Sequence, residues 1–168
     1  MRTVLLGMGN PILSDDAIGV RLAKDFKARL DKIGNLPEID VVEECSVGGL
    51  NLLDVVADSD CLIVLDSIKT RGGTPGDYYY FTAESLRETM NLSNVHDANF
   101  ATALELGRRL GHKIPHHRDI HILAVEVKDN MSFGETMTAP LETAYPALSE
   151  EIFNEVLRLL RGRESFIP

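Results

Sequence analysis

The opening residues, MRTVLLGMGNPILSDDAIGV, leave few options for the fold. Thr3 to Leu6 is an apolar run with the length and β-branched content of a buried strand, and Gly7-Met8-Gly9-Asn10-Pro11 breaks it at once. A helix follows: Ser14 or Asp15 can cap its first turn, and Ile18, Leu22, Phe26 and Leu30 recur at i+4 to make one apolar stripe. A strand, a glycine-rich turn and a helix opening on two carboxylates place Asp15 and Asp16 at the carboxyl edge of a sheet, where open α/β sheets bind ligands. A dinucleotide fingerprint would need glycine where Ile12 stands, and Asp15 with Asp16 would repel a pyrophosphate at the helix start. Capping of the helix dipole accounts for one carboxylate better than for two. The remaining use of Asp16 is a metal or acid-base site completed by residues from elsewhere in the chain.

The same alternation continues downstream. Ile39 to Cys45 reads as a second strand, Val47-Gly48-Gly49 as a turn, and Leu50, Leu53 and Val56 or Ala57 as the inner face of a short helix. Cys61 to Leu65 is nearly continuously apolar, as a central strand covered on both faces requires, and it ends at Asp66. Lys69 to Gly76 is rich in turn residues, and Asp77 to Thr82 is an aromatic strand. So short a link leaves little room for a parallel crossover, so this strand is expected to run antiparallel. Phe100, Ala103, Leu104, Gly107 and Leu110 give a helix over 97–110 with His96 at its start, and Ile120 to Val127 is a fifth strand. Thr138 to Leu160 is expected to be helical, capped at Thr138 and Ser149 and kinked or divided at Pro146, with Arg161 to Pro168 as a loose tail. The expected architecture is an α/β fold, a three-layer α/β/α sandwich with a five-stranded, mostly parallel sheet and one antiparallel strand.

Length and composition bound the rest. At 168 residues and 44% hydrophobic, residues 1–168 are expected to form one domain with a full-sized core. No apolar run approaches membrane-spanning length, and Met1-Arg2 leads straight into strand without a signal pattern, so a cytoplasmic protein with no membrane insertion is expected. Cys45 and Cys61 lack metal-ligand spacing and sit among buried-type neighbours, which suits reduced core thiols. The formal charge of −9 argues against a nucleic-acid partner and suits a basic peptide or a metal cation.

Asp16, Asp66 and His96 each stand where the chain leaves or enters an element at one edge of the sheet. Singly, each has an ordinary use: a cap for the carboxylates, a packed first-turn residue for the imidazole. Jointly they supply two hard oxygens and one nitrogen, a set that suits a first-row divalent ion and leaves positions for water or substrate. A rival cluster, His112, His116, His117 and His121, occupies a Pro-containing loop and a strand without metal-site spacing, and solvated histidines are the expectation there. Cys45 and Ser67 lack an obvious paired base, so neither stands out as a nucleophile.

These motifs resemble those of the hydrogenase maturation endopeptidases, which trim the C-terminal tail from the large-subunit precursor of nickel-iron hydrogenases. The resemblance rests on Gly7-x-Gly9-Asn10 with Asp15-Asp16-Ala17-Ile18-Gly19-Val20, on Leu65-Asp66-Ser67 followed by Pro75-Gly76, and on His96 before the helix from Phe100 to Leu110. It implies a phosphorylase/hydrolase-like fold and a hydrolase, an aspartyl endopeptidase acting in protein processing. By motif the nickel ligands map to Asp16, Asp66 and His96, which would serve as both metal and catalytic residues. The nickel would be carried by the precursor, with another divalent ion as a possible occupant. The sequence departs from the family at Glu44-Cys45-Ser46-Val47-Gly48-Gly49, at Asn94-Val95-His96 and at Met137-Thr138, and none of these departures removes a ligand. A metal-binding maturation chaperone without peptidase activity shares the ligand set. Peptidyl-tRNA hydrolase shares the Gly-x-Gly-Asn-Pro turn, but its Tyr and Thr-Arg-His-Asn stretches are missing and the charge is wrong for tRNA.

Overall fold

A computed structural model describes residues 1–45, 50–85 and 95–162, with the backbone alone at 50–51 and 95–99. Five strands, β1 (Thr3–Met8), β2 (Ile39–Cys45), β3 (Cys61–Ile68), β4 (Tyr78–Thr82) and β5 (Ile120–Glu126), form one sheet in the order β2-β1-β3-β5-β4. All pairings are parallel except β4 with β5, which is antiparallel as the short link after β3 requires. Among the described residues, helices α1 (Ile18–Leu30), α2 (Leu50–Val56), α3 (Val95–Arg109) and α4 (Ala139–Gly162) flank the sheet.

Period-two alternation sends successive residues of each central strand to opposite layers. Leu5, Cys61, Ile63, Leu65, Leu123 and Val125 meet α1 and α4 through Leu22, Phe26, Leu148, Ile152 and Phe153. Val4, Leu6, Leu62, Val64, Ile122 and Ala124 meet α2 and α3 through Leu52, Leu53, Val56, Phe100 and Leu104. The near-continuous apolar runs of β1, β3 and β5 are therefore the sequence of a sheet covered on both faces. Cys45 and Cys61 are both buried, and neither is in a disulfide.

Three local expectations change. Of the two outcomes expected at Pro146, a kink or a division, the division does not occur, since α4 runs through it, and Ser149 is a buried mid-helix residue instead of a cap. A proline inside a helix costs about 3 kcal/mol. The stripe of Leu141, Tyr145, Leu148, Ile152, Phe153 and Val156 is buried on both sides of it and contributes about 1.5–3 kcal/mol per large side chain, which outweighs that cost. Ser14 and Asp15 do not cap α1: Ser14–Ala17 forms a 3-10 turn, Ala17 stands at the cap, and no side chain bonds the helix end. Arg161 and Gly162 continue α4 instead of starting a tail, while 163–168, the turn expected at Val47-Gly48-Gly49, and Asn94 lie outside the described residues.

Candidate metal-binding active site

The strand order reverses direction between β1 and β3. From β1 the chain goes outward to β2, and from β3 it goes the other way to β5 and β4, so the ends of β1 and β3 open the crevice where α/β sheets bind ligands. Gly9, just past β1, has φ 133°, and a Cβ there would lie 2.0 Å from the Asp16 carbonyl oxygen. Only glycine lets this turn fold back onto the 3-10 turn that carries the two acids. At the start of α1, Gly19 comes so close to the strand ends that a Cβ would lie 2.3 Å from both the Leu65 and Met8 carbonyl oxygens. The two glycines draw Asp16 against the end of β3.

Three hydrogen bonds then fix the carboxylates. The Asn10 N–H donates to Asp16 Oδ2 at 2.9 Å, and the Ser67 hydroxyl donates to Asp16 Oδ1 at 2.6 Å. The Ser67 N–H donates to Asp66 Oδ1 at 2.7 Å. Alternation along β3 places Asp66 on the layer of Leu62 and Val64 and Ser67 on the layer of α1, so a single residue ties both acids together across the sheet edge. Asp16 and Asp66 are 1% and 5% exposed. Two carboxylates buried this close repel one another, and a bound cation offsets that repulsion.

Asp15 and Asp16, adjacent in sequence, have separate work. The Asp15 carboxylate accepts the N–H groups of Lys128 and Asp129 and, from Thr138, both N–H and hydroxyl, at 2.6 to 3.0 Å. Its own N–H donates to the Asp129 carbonyl at 3.0 Å. It clamps the segment after β5 to the turn after β1, and Thr138, expected as a hydroxyl cap, spends its hydroxyl on this clamp.

His96 lies in the first turn of α3, which leads through 110–119 to the amino end of β5 and therefore begins at the carboxyl edge. Its side chain lies outside the described residues. Among the described side chains, no group of three His, Cys, Asp or Glu residues is gathered for a metal ion. Of the rival histidines, His112 and His116 are exposed, the His116 and His117 ring centroids lie 6.2 Å apart, and His121, on β5, has its Nδ1 2.9 Å from the Tyr80 hydroxyl on β4. A groove of about 440 Å³ between Gly76–Tyr79 and Ala144–Glu151 contains neither Asp16 nor Asp66.

Sequence reasoning passed over two residues at this edge. Ser67, weighed as a nucleophile, is the tie between the carboxylates. Glu126, 1% exposed at the end of β5, accepts the N–H and hydroxyl of Thr70 at 2.7 and 2.8 Å and holds the loop after β3. An acid closing a buried strand was the signal that picked out Asp66, and it applies equally to Glu126.

The chain resembles known proteins over nearly its whole length. It is 26% identical over 145 residues, 86% of each chain, to the hydrogenase 2 maturation protease of Escherichia coli K12. Its fold superposes on the hydrogenase maturating endopeptidase HybD from E. coli with a TM-score of 0.77 at 26% identity, covering 97% of this chain and 94% of that one. The solution structure of an endopeptidase from E. coli gives a TM-score of 0.74 at 28% identity over 99% of this chain and 95% of that one. The sequence profile of the hydrogenase maturation proteases matches residues 20–155, most of the chain, and the protein is therefore a peptidase of the hydrogenase maturation protease family.

Proposed function

We propose that this peptidase removes the C-terminal extension of a nickel-iron hydrogenase large-subunit precursor once nickel is inserted, and that Asp16, Asp66 and His96 recognise the precursor's nickel. The observation that carries this reading is the Asp16–Ser67–Asp66 linkage at the crevice between β1 and β3. Two buried oxygen donors and an imidazole suit a divalent first-row ion, and a protein supplying three ligands leaves positions for groups of the precursor. The nickel belongs to the substrate, and another divalent ion can take its place in the isolated protease. The acidic surface, −9 overall, favours cations over nucleic acid. The protease works in the cytoplasm, and no described helix is long and apolar enough to cross a membrane.

Peptide hydrolysis needs a polarised carbonyl, a water that loses a proton, and an amine that gains one. Asp16, Asp66 and His96 would hold the precursor's nickel, which would supply orientation of the tail and Lewis-acid polarisation of the scissile carbonyl or of a water. The alternative proton acceptor for the attacking water is a carboxylate such as Asp16. Water adds to the carbonyl carbon, the C–N bond breaks, and the proton passes to the departing amine.

The experiment compares nickel-loaded and nickel-free precursor. The loaded form is expected to be cut once near its C-terminus and the nickel-free form to stay whole, read by mass. Asp16→Asn, Asp66→Asn and His96→Ala are each expected to lose nickel binding and processing while keeping native circular dichroism. Equal cleavage of the two precursors, or normal processing by all three variants, refutes the assignment.

A further inference from the structure

The feature that the peptidase site leaves unused is an apolar patch on its rim. Ile12, Met131 and Phe133 are 58%, 78% and 81% exposed, whereas the large apolar side chains of the sheet and its helices are mostly buried. The three sit on two segments joined edge to edge. Gly134 N–H donates to the Ile12 carbonyl at 3.1 Å, and Leu13 pairs with Phe133 in an antiparallel bridge. Asp129 Oδ1 accepts the N–H groups of Met131 and Ser132, both at 3.0 Å, and the Asp15 clamp holds the base of the same segment. The side chains are thus displayed on a braced scaffold, an arrangement that limits the ordering cost of binding.

We infer that Ile12, Met131 and Phe133 form a docking surface for the folded body of the precursor beside its nickel-bearing segment. The inference rests on the function proposed above for the site. Continuity decides the occupant: Ile12 is two residues beyond Asn10, whose N–H holds Asp16, so a protein that reaches the carboxylates meets this patch at their rim. Phe and Met are enriched at the cores of protein interfaces, where a few buried apolar anchors dominate affinity. A membrane is the poorer occupant, because Asp129 and Glu135 flank the patch on a chain of charge −9 and anionic lipid would repel it.

The test measures binding of nickel-free precursor to the full chain, so that affinity is read without cleavage and without the metal contact. The Met131→Ser/Phe133→Ser double variant is expected to bind it about 100-fold more weakly, roughly tenfold per anchor, with thermal midpoint and nickel affinity unchanged. With nickel-loaded precursor, KM rises and kcat holds. Phe133→Leu keeps near-normal affinity, and Leu110→Ser, an exposed apolar site beyond α3 at the opposite edge of the sheet, changes nothing. Unchanged affinity of the double variant overturns the proposal. So does an equal loss for a free tail peptide, which would place the tail on the patch, or a wild-type dimer that the double variant abolishes in sedimentation, which would assign the patch to a second copy. Failure of the metal assignment shows separately, as nickel binding that survives Asp66→Asn.

Discussion

Replacing Asp15 and Asp16 in turn by asparagine is expected to give opposite results, because the same chemical change meets different partners. At Asp15 every partner facing the carboxylate is a donor: the N–H groups of Lys128, Asp129 and Thr138, and the Thr138 hydroxyl. Whichever way an amide is turned, its NH2 group faces a backbone N–H, and one buried donor loses its acceptor. An unmatched buried donor costs about 1–3 kcal/mol, and the charge-assisted character of the lost bond adds to it, so Asp15→Asn should destabilise by about 2–3 kcal/mol. Asp15→Ala strands all three N–H groups and should cost about 3–5 kcal/mol, a large share of the ~5–15 kcal/mol available to a typical domain. In a chain of this size that lowers the thermal midpoint by about 10 °C. At Asp16 one partner is a hydroxyl that can rotate. An asparagine there accepts from the Asn10 N–H with its oxygen and donates to Ser67 Oγ with its nitrogen, so stability should change by less than about 1 kcal/mol. Urea denaturation followed by circular dichroism measures both. If Asp15→Ala shifts stability by less than about 1 kcal/mol, or if Asp15→Asn and Asp16→Asn cost the same, the division of labour between these neighbours is refuted.

Gly19→Ala should cost about 3 kcal/mol or more, because the added methyl meets the Leu65 and Met8 carbonyl oxygens, which belong to central strands and cannot yield; a near-native thermal midpoint would contradict this. The Asp129 carboxyl is pushed down to about 2 by hydrogen bonds from Ser132 and from the Met131 N–H. A folded-state value below the unfolded one means the carboxylate supports the loop above about pH 4 and stops doing so as pH falls through about 2, so the Met131 and Ser132 amide resonances should titrate near pH 2. A midpoint near 4 would show that these bonds do not hold in solution. Native Cys45 and Cys61 should resist thiol reagents, since burial raises the Cys45 thiol above its ordinary value and Cys61 is fully enclosed, and rapid modification of either would mean the sheet opens locally.

Local pattern was enough for the elements because each apolar run reports its own surroundings. The unbroken runs of β1, β3 and β5 require cover on both faces, the mixed burial of β2 is that of an edge strand, and the short link after β3 leaves little room for β4 to run parallel. What was illegible depends on residues distant in sequence. Nothing near Asp15 says that its partners are Lys128, Asp129 and Thr138, so it reads as a helix cap although it serves as a clamp. Ser67 looks idle until the fold brings it to Asp16, and Pro146 looks like a break until both halves of α4 find the same core. That Asp16 and Asp66 come to one sheet edge was legible because strand ends define that edge, and the hydrogen bonds through Ser67 join them there.

The position of β4 has a consequence for how the chain is made. In the finished sheet β4 occupies an edge and pairs with β5, yet it leaves the ribosome before the whole of α3 and before β5 itself. A nascent chain ending short of Ile120 can assemble β1, β2 and β3 in their final order, but its tyrosine-rich strand Tyr78–Thr82 has no ladder to join. That segment must remain unpaired while synthesis proceeds through α3, an interval in which an aromatic strand is open to pairing with other chains. Translation pauses or stalled chains between α3 and β5 are therefore where this protein is most exposed to aggregation, and the arrival of β5, which extends the β3 ladder and captures β4 on its other side, ends that exposure in one step.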